Sequence, residues 1–208
     1  MINLEQKKPW HRLMPLLSET EVVSRIAEMA TSSTQKHRED YPIYIRVNNG
    51  AAYFADEFEK GLRENDAHFE TGSIRVRSMN GSDQGELEVV DKYKGPDITG
   101  RKIVILEDIV DSGTTIEFLL KHFSAMAPAL IEVIALYSKP DDRKIDVPLE
   151  DVGFDVFGFV VGSNLDYDQL YRELKGLQLV RFFPKTIKHI YDFFRPKMPI
   201  RKTSPSTI

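Results

Sequence analysis

The chain has 208 residues, the size of one large domain or of one domain with appendages, which argues against two equal, independent domains. With 41% apolar and 29% charged residues it can fill a core and cover a surface, so disordered, collagen-like and membrane classes drop out. A net charge of −4 gives no electrostatic reason for nucleic acid as a partner. The absence of cysteine excludes disulfides, thiolate zinc sites and a cysteine nucleophile, leaving oxygen and histidine for any metal.

No run approaches the roughly 18 apolar residues of a spanning helix, and the opening residues lack the apolar core of a signal peptide, so a cytoplasmic protein without a membrane partner is expected. Residues 1–17 read as an N-terminal extension. Ser18 and Glu21 form a capping box, and Val22, Val23, Ile26, Met29 and Ala30 recur at helical spacing, predicting a helix from about Glu19 to the middle 30s. Tyr41 to Val47 reads as a strand, Asn48-Asn49-Gly50 as its turn and Ala51 to Leu62 as a helix. Ile74 to Arg77 reads as a second strand. Ser78 to Gly100 reads as a long polar, glycine-bearing loop with only Leu87 to Val90 as a short strand, the pattern of a lid.

Ile103-Val104-Ile105-Leu106 is a continuous apolar run, the mark of a strand buried on both faces of a parallel sheet, and Thr115 to Met126 reads as the helix after it. Ile131 to Tyr137, Val156 to Val161 and Gln178 to Arg181 read as further strands. The alternation predicts an α/β fold, a mostly parallel sheet flanked by helices, with ligands beyond the carboxyl ends of the strands. Residues 18–183 make up this domain, and 184–208 read as a C-terminal helix and basic tail. From Phe193 onward come Arg195, Lys197, Arg201 and Lys202 with no acid and three prolines, the composition of a loosely ordered, solvated end.

The informative segment is Glu107-Asp108-Ile109-Val110-Asp111-Ser112-Gly113-Thr114-Thr115, between a buried strand and a helix. Ser112, Gly113, Thr114 and Thr115 offer backbone N–H groups and hydroxyls at a helix N-terminus, where the partial positive charge suits a phosphate monoester. Glu107 and Asp108 could hold sugar hydroxyls or a hydrated Mg²⁺, and Asp111 is placed as a general base. The blander alternative, a helix cap on a solvated acidic turn, explains one hydroxyl but not the whole set. His11, His37, His68, His122 and His189 are too scattered for a metal site.

This segment resembles the 5-phosphoribosyl-1-pyrophosphate (PRPP) signature of type I phosphoribosyltransferases, and its Glu-Asp pair with an aspartate three positions on is similar to the 6-oxopurine branch, the hypoxanthine-guanine enzymes. A second block agrees in order and spacing: Val152-Gly153-Phe154, Phe159-Val160-Val161-Gly162, Leu165-Asp166-Tyr167 and Tyr171-Arg172-Glu173. The resemblance implies a purine salvage enzyme that joins PRPP to hypoxanthine or guanine with Mg²⁺, as a homo-oligomer, on a fold with a small hood and a mobile flap.

Residue by residue it implies that Glu107 and Asp108 contact the ribose hydroxyls and magnesium, while Asp111 to Thr115 wrap the 5′-phosphate. Asp111 doubles as the acid nearest the purine. Lys139 would donate to the purine 6-oxo group, Phe159 stack on the base and the Val160 backbone read its edge. Asp166 would be a magnesium ligand or lie near the purine; Arg172 and the loop Asn48-Asn49-Gly50 would bind pyrophosphate. Taken alone, Phe159 could be core, Lys139 could form a surface ion pair, and Asp166 and Arg172 a helix-start acid and a solvated arginine.

Two positions depart from the family. Its first loop often carries Leu-Lys-Gly, where Asn48 here replaces the lysine, and its flap opens with Ser-Tyr, where Ser78 here precedes Met79. These departures motivate an alternative, a PRPP-fold regulator or binding protein with little or no turnover. A third reading, an α/β phosphoacceptor or nucleotide-binding module using Asp108 or Asp111, leaves the Phe159 to Arg172 block unexplained.

Overall fold

The computed structural model describes residues 11–78, 87–167, 169–182 and 201–202. In chain order these give β1 (His11–Leu17), α1 (Glu19–Lys36), β2 (Ile43–Asn48), α2 (Ala52–Glu64), β3 (Glu70–Ser78), β4 (Leu87–Lys94) and β5 (Lys102–Val110). They continue with α3 (Thr114–Ser124), β6 (Leu130–Ser138), β7 (Asp151–Asp155), β8 (Val160–Val161), β9 (Leu177–Phe182) and β10 (Arg201–Lys202). A seven-stranded sheet runs β10-β7-β6-β5-β2-β3-β4, parallel from β7 through β3 and antiparallel at both edges. A separate antiparallel sheet, β1-β9-β8, forms a hood.

The apolar runs are continuous because both sheet faces are covered. Successive residues of a strand point to opposite faces, and here Tyr44, Val104, Leu106, Ile134 and Leu136 join the core under α1 and α2. Their neighbours Ile45, Ile103, Ile105, Val133 and Ala135 pack with Ile116, Leu119 and Phe123 of α3. The capping box forms as expected: Ser18 Oγ accepts from Glu21 N at 3.2 Å, and Ser18 N donates to Glu21 Oε2 at 2.8 Å. Buried Arg25 then fastens α1 to β7, donating to Val152 O at 2.9 Å, Gly153 O at 3.2 Å and Asp151 Oδ1 at 3.0 Å.

Several expectations are corrected. The segment read as a long loop after Ser78 is in part β4, paired antiparallel with β3, with Ser78 opposite Leu87. The cross-strand pair Arg77–Glu88 at 2.6 Å shows why the pattern looked like loop, since a half-exposed edge hairpin spends its positions on charges. The strand read at Val156 to Val161 is β7 at Asp151–Asp155, after which the chain leaves the large sheet, and only Val160–Val161 pair again, with Leu179 and Gln178 of the hood. The strand read at Gln178 to Arg181 is β9, which pairs antiparallel with β1, so His11–Leu17, read as an extension, supplies a hood strand. Of the stretch read as a C-terminal helix and tail, Arg201–Lys202 pair with Asp155 and Phe154 on the sheet edge; the rest, from 183 on, lies outside the described residues.

Candidate functional site

β5 continues past the apolar run, so Glu107 and Asp108 sit inside the strand and are buried. Burial and the neighbouring Asp108 push the Glu107 carboxyl well above the usual carboxylate range. Burial also raises Asp108, to about 6, against the lowering effect of the Ile109 N–H, which donates to Asp108 Oδ1 at 2.8 Å, and of Arg172. Glu107 Oε2 is buried without a hydrogen-bond partner in the fold. Such an atom invites a partner from outside, because an unsatisfied buried acceptor is costly.

After Val110 the chain turns through Asp111, Ser112 and Gly113 into α3. Gly113 caps the helix in the left-handed region, at φ 91°, and brings no side-chain acceptor to the first-turn N–H groups. The need for glycine comes from within the fold: a Cβ at 113 would lie 2.4 Å from Ile145 O. Ser112 Oγ and Thr114 Oγ1 are 3.0 Å apart at the helix mouth. The open end of α3 thus presents N–H groups, two hydroxyls and a positive dipole end, an anion site in form.

A cleft of about 410 Å³ lies over this turn. It is lined by Asn48, Asn49 and Gly50, by Glu107, by Asp111 to Thr115, and by Val76, Arg77 and Leu87 of the β3–β4 hairpin. Gly50 presses on the acidic pair so closely that a Cβ there would lie 2.2 Å from Asp108 Oδ2. The Asn48–Asn49 peptide is cis.

Lys139, just past β6, is 9% exposed, and its Nζ donates to Asp111 Oδ2 at 2.6 Å. The surface ion pair considered for it in isolation is therefore replaced by a part-buried one at the cleft, with the lysine enclosed and Asp111 still open to solvent. In the hood, Phe159 is 40% exposed and meets Tyr167 and Phe182 edge-on at ring distances of 5.5 and 5.8 Å, so it is not core. Val160 is buried and pairs with Leu179. Asp166 is engaged on both oxygens, by Arg172 Nη2 at 2.7 Å and Gln169 N at 2.7 Å. Phe159, Val160, Asp166 and Arg172 belong to the hood side and do not line the cleft. Ser78 ends β3, while Met79 lies outside the described residues.

Two residues that the sequence did not single out organise the site. Arg143 Nε donates to Asp111 O at 3.0 Å and its Nη2 to Ser138 Oγ at 2.8 Å, while Lys144 N and Ile145 N donate to Ser112 O at 3.0 Å each. Asn164 Nδ2 donates to Asn49 O at 2.9 Å and Gly50 O at 2.7 Å, linking hood to cleft. Position in the charged stretch after Lys139 was the only sequence signal for Arg143, and Asn164 had none.

Magnesium suits oxygen ligands and is commonly held by one or two carboxylates together with substrate phosphates. Glu107 and Asp108 fit that donor set, and the unpartnered Glu107 Oε2 supplies a free acceptor. Among the described residues no group of three or more acids or histidines converges into an all-protein metal cage. No helix of the described residues is long and apolar enough to cross a membrane.

Comparison with known proteins agrees with this geometry. Residues 17–168 match the family model of the phosphoribosyl transferase domain. The chain is 34% identical over 169 residues to a hypoxanthine-guanine phosphoribosyltransferase of Bacillus subtilis (strain 168), covering 80% of this chain and 92% of that protein. It is 33% identical over 166 residues to the one of Mycobacterium avium, covering 76% and 81%. Its fold is similar to a hypoxanthine-guanine phosphoribosyltransferase of Bacillus anthracis, with a TM-score of 0.73 and 26% identity over 83% of this chain and 100% of that one. At 24% identity it also shares the fold of hypoxanthine phosphoribosyltransferase from Trypanosoma cruzi in complex with the product IMP, with a TM-score of 0.75 over 85% and 97% of the two chains. With its acidic strand, phosphate-type turn and hood in this arrangement, the chain belongs to the phosphoribosyl transferase domain family.

Proposed function

We propose that this protein is a purine salvage enzyme that transfers the 5-phosphoribosyl group of PRPP to N9 of hypoxanthine or guanine, giving IMP or GMP and pyrophosphate. The observation that carries this reading is the buried Lys139 donating to Asp111 Oδ2 at 2.6 Å, beside the open N-terminus of α3. One lysine donor and one carboxylate acceptor, side by side, match the 6-oxo group and N7 proton of a 6-oxopurine.

In the transfer, the C1–O bond to pyrophosphate breaks as the N9–C1 bond forms, and Asp111 accepts or shares the purine N7 proton. Ser112 to Thr115 hold the 5′-phosphate at the helix end, and Glu107 and Asp108 hold the ribose hydroxyls as positive charge grows at the anomeric carbon. Bound Mg²⁺, when held by Glu107 and Asp108, supplies charge neutralisation for the departing pyrophosphate. The Asn48-Asn49-Gly50 loop and Arg172 serve the pyrophosphate end, directly or by holding the loop. Phe159, 40% exposed, would stack on the base, the Val160 backbone would read its edge, and Asp166, paired with Arg172 Nη2 at 2.7 Å, would contact magnesium or the purine. The β3–β4 hairpin, whose Val76, Arg77 and Leu87 line the cleft, would serve with the flap residues Ser78 and Met79 to keep water from PRPP.

The reading extends to a homo-oligomer, a cytoplasmic setting, and a catalytic unit over 18–183. A spectrophotometric assay with PRPP, Mg²⁺ and each purine base tests the activity. Conversion of hypoxanthine or guanine is the expected result. PRPP binding without conversion of any base would favour the regulator instead.

A further inference from the structure

We infer that Asn164 is a positioning residue that holds the Asn48-Asn49-Gly50 loop in the form that a pyrophosphate group requires; the inference rests on the phosphoribosyl-transfer reading above. The side-chain amide of Asn164 reaches out of the hood and donates to two successive carbonyls, Asn49 O at 2.9 Å and Gly50 O at 2.7 Å. Its backbone lies in the left-handed region, at φ 76°, which asparagine and glycine tolerate better than other residues. Arg172 holds the same residue from behind: its Nη1 donates to Asn164 O at 2.8 Å while its Nη2 pairs with Asp166 Oδ1 at 2.7 Å. A continuous chain of contacts therefore runs from Asp166 through Arg172 and Asn164 to the loop, and Gly50 in turn abuts Asp108.

The loop depends on such a hold because of its composition. The segment Asn48-Asn49-Gly50 carries no charged side chain, so its grip on an anion falls to backbone N–H groups and amide side chains. In a trans peptide the carbonyl and the following N–H point to opposite sides. Fixing Asn49 O toward the hood thus fixes the direction of the Gly50 N–H, and both residues line the cleft. Without the amide, Asn49 O keeps only the longer bond from Ala52 N at 3.4 Å, so the peptide between Asn49 and Gly50 is held less firmly in one direction. Ala51 N remains tied to Val47 O at 3.1 Å, so the loop would loosen locally and not unfold.

The test compares Asn164→Gly, which keeps the left-handed backbone and removes the amide, with Asn164→Asp, which keeps the shape but sets a carboxylate against two carbonyl oxygens. In both variants the KM for PRPP is expected to rise about tenfold, with the purine KM within about twofold of the parent and kcat reduced by less than about threefold. The same variants are expected to speed amide exchange at residues 49–52 in the free protein, and Tm serves as the folding control. A PRPP KM within about twofold of the parent in Asn164→Gly, or PRPP and purine KM rising together with a lowered Tm, overturns the inference. If the parent chain converts no purine, the functional reading has failed on its own. Calorimetric titration with magnesium pyrophosphate then decides: binding by the parent that is weakened in Asn164→Gly supports the role of Asn164, and equal binding or none by the parent refutes it.

Discussion

Lys139 Nζ and Asp111 Oδ2 lie 2.6 Å apart and join the end of β6 to the turn between β5 and α3. The ammonium is the more enclosed partner, with its side chain 11% exposed against 42% for Asp111. A buried donor of this kind tolerates an acceptor opposite it and rejects another donor, since a charged group left unpaired loses its full solvation. Adenine, whose 6-amino group is a donor, is therefore expected to be used less efficiently than hypoxanthine by a factor of about 10³ or more in kcat/KM. Comparable conversion of adenine to AMP would refute the role of Lys139 while leaving the PRPP site standing.

The pairing also fixes what to expect from Asp111→Asn. The amide keeps the shape of the turn and removes the base, so kcat should fall by about 10²–10⁴-fold with PRPP affinity little changed. Because Lys139 loses its closest charged partner in the same variant and keeps only Asp142 at 3.9 Å, the effects of Asp111→Asn and Lys139→Met should not add, and the double variant should be less impaired than the product of the singles. Steady-state kinetics on the four proteins reads this directly, and strict additivity would mean that the pair is not a functional unit.

Gly113→Ala isolates the backbone contribution. The new Cβ would stand 2.4 Å from Ile145 O, at a φ of 91° that L side chains rarely adopt, so the turn or the Arg143–Ile145 segment must move. The expected cost is about 1–3 kcal/mol in urea unfolding, together with weakened PRPP binding. A variant with parental stability and affinity would show that the turn is softer than its contacts indicate.

What the sequence revealed divides along physical lines. Runs such as Ile103 to Leu106 and the capping box at Ser18 and Glu21 are local signals, and they located β5 and α1 because burial and capping act within a few residues. The acidic turn was legible for the same reason, being one contiguous segment. Arg143 and Asn164 were not, because each acts across the fold: Asn164 meets Asn49 and Gly50 across 115 and 114 positions of chain. Arg25 was hidden in the same way, an arginine within a predicted helix whose partners are the carbonyls of β7. The resemblance implied a small hood, but not which strands build it, because β1 and β9 stand at opposite ends of the chain and pair only in three dimensions.

The β3–β4 hairpin gives the last expectation. Its strands are paired as far as Ser78 and Leu87, and Val76, Arg77 and Leu87 face the cleft. Among the described residues β4 is an edge strand with exposed positions at Val90, Asp91 and Lys92 and largely solvated ion pairs Arg77–Glu88 and Arg75–Asp91, so beyond the ladder it is held chiefly by Val89 and Tyr93, which pack on the α3-side core. In the free protein, amides of β3 that pair with β2 should exchange slowly while those of β4 exchange faster. PRPP with Mg²⁺ should then slow exchange at Arg77, Ser78 and Leu87, the residues at the cleft end, more than at Lys92 to Lys94. If the ligands leave exchange at the cleft end unchanged, the hairpin is a fixed wall of the site and not a lid.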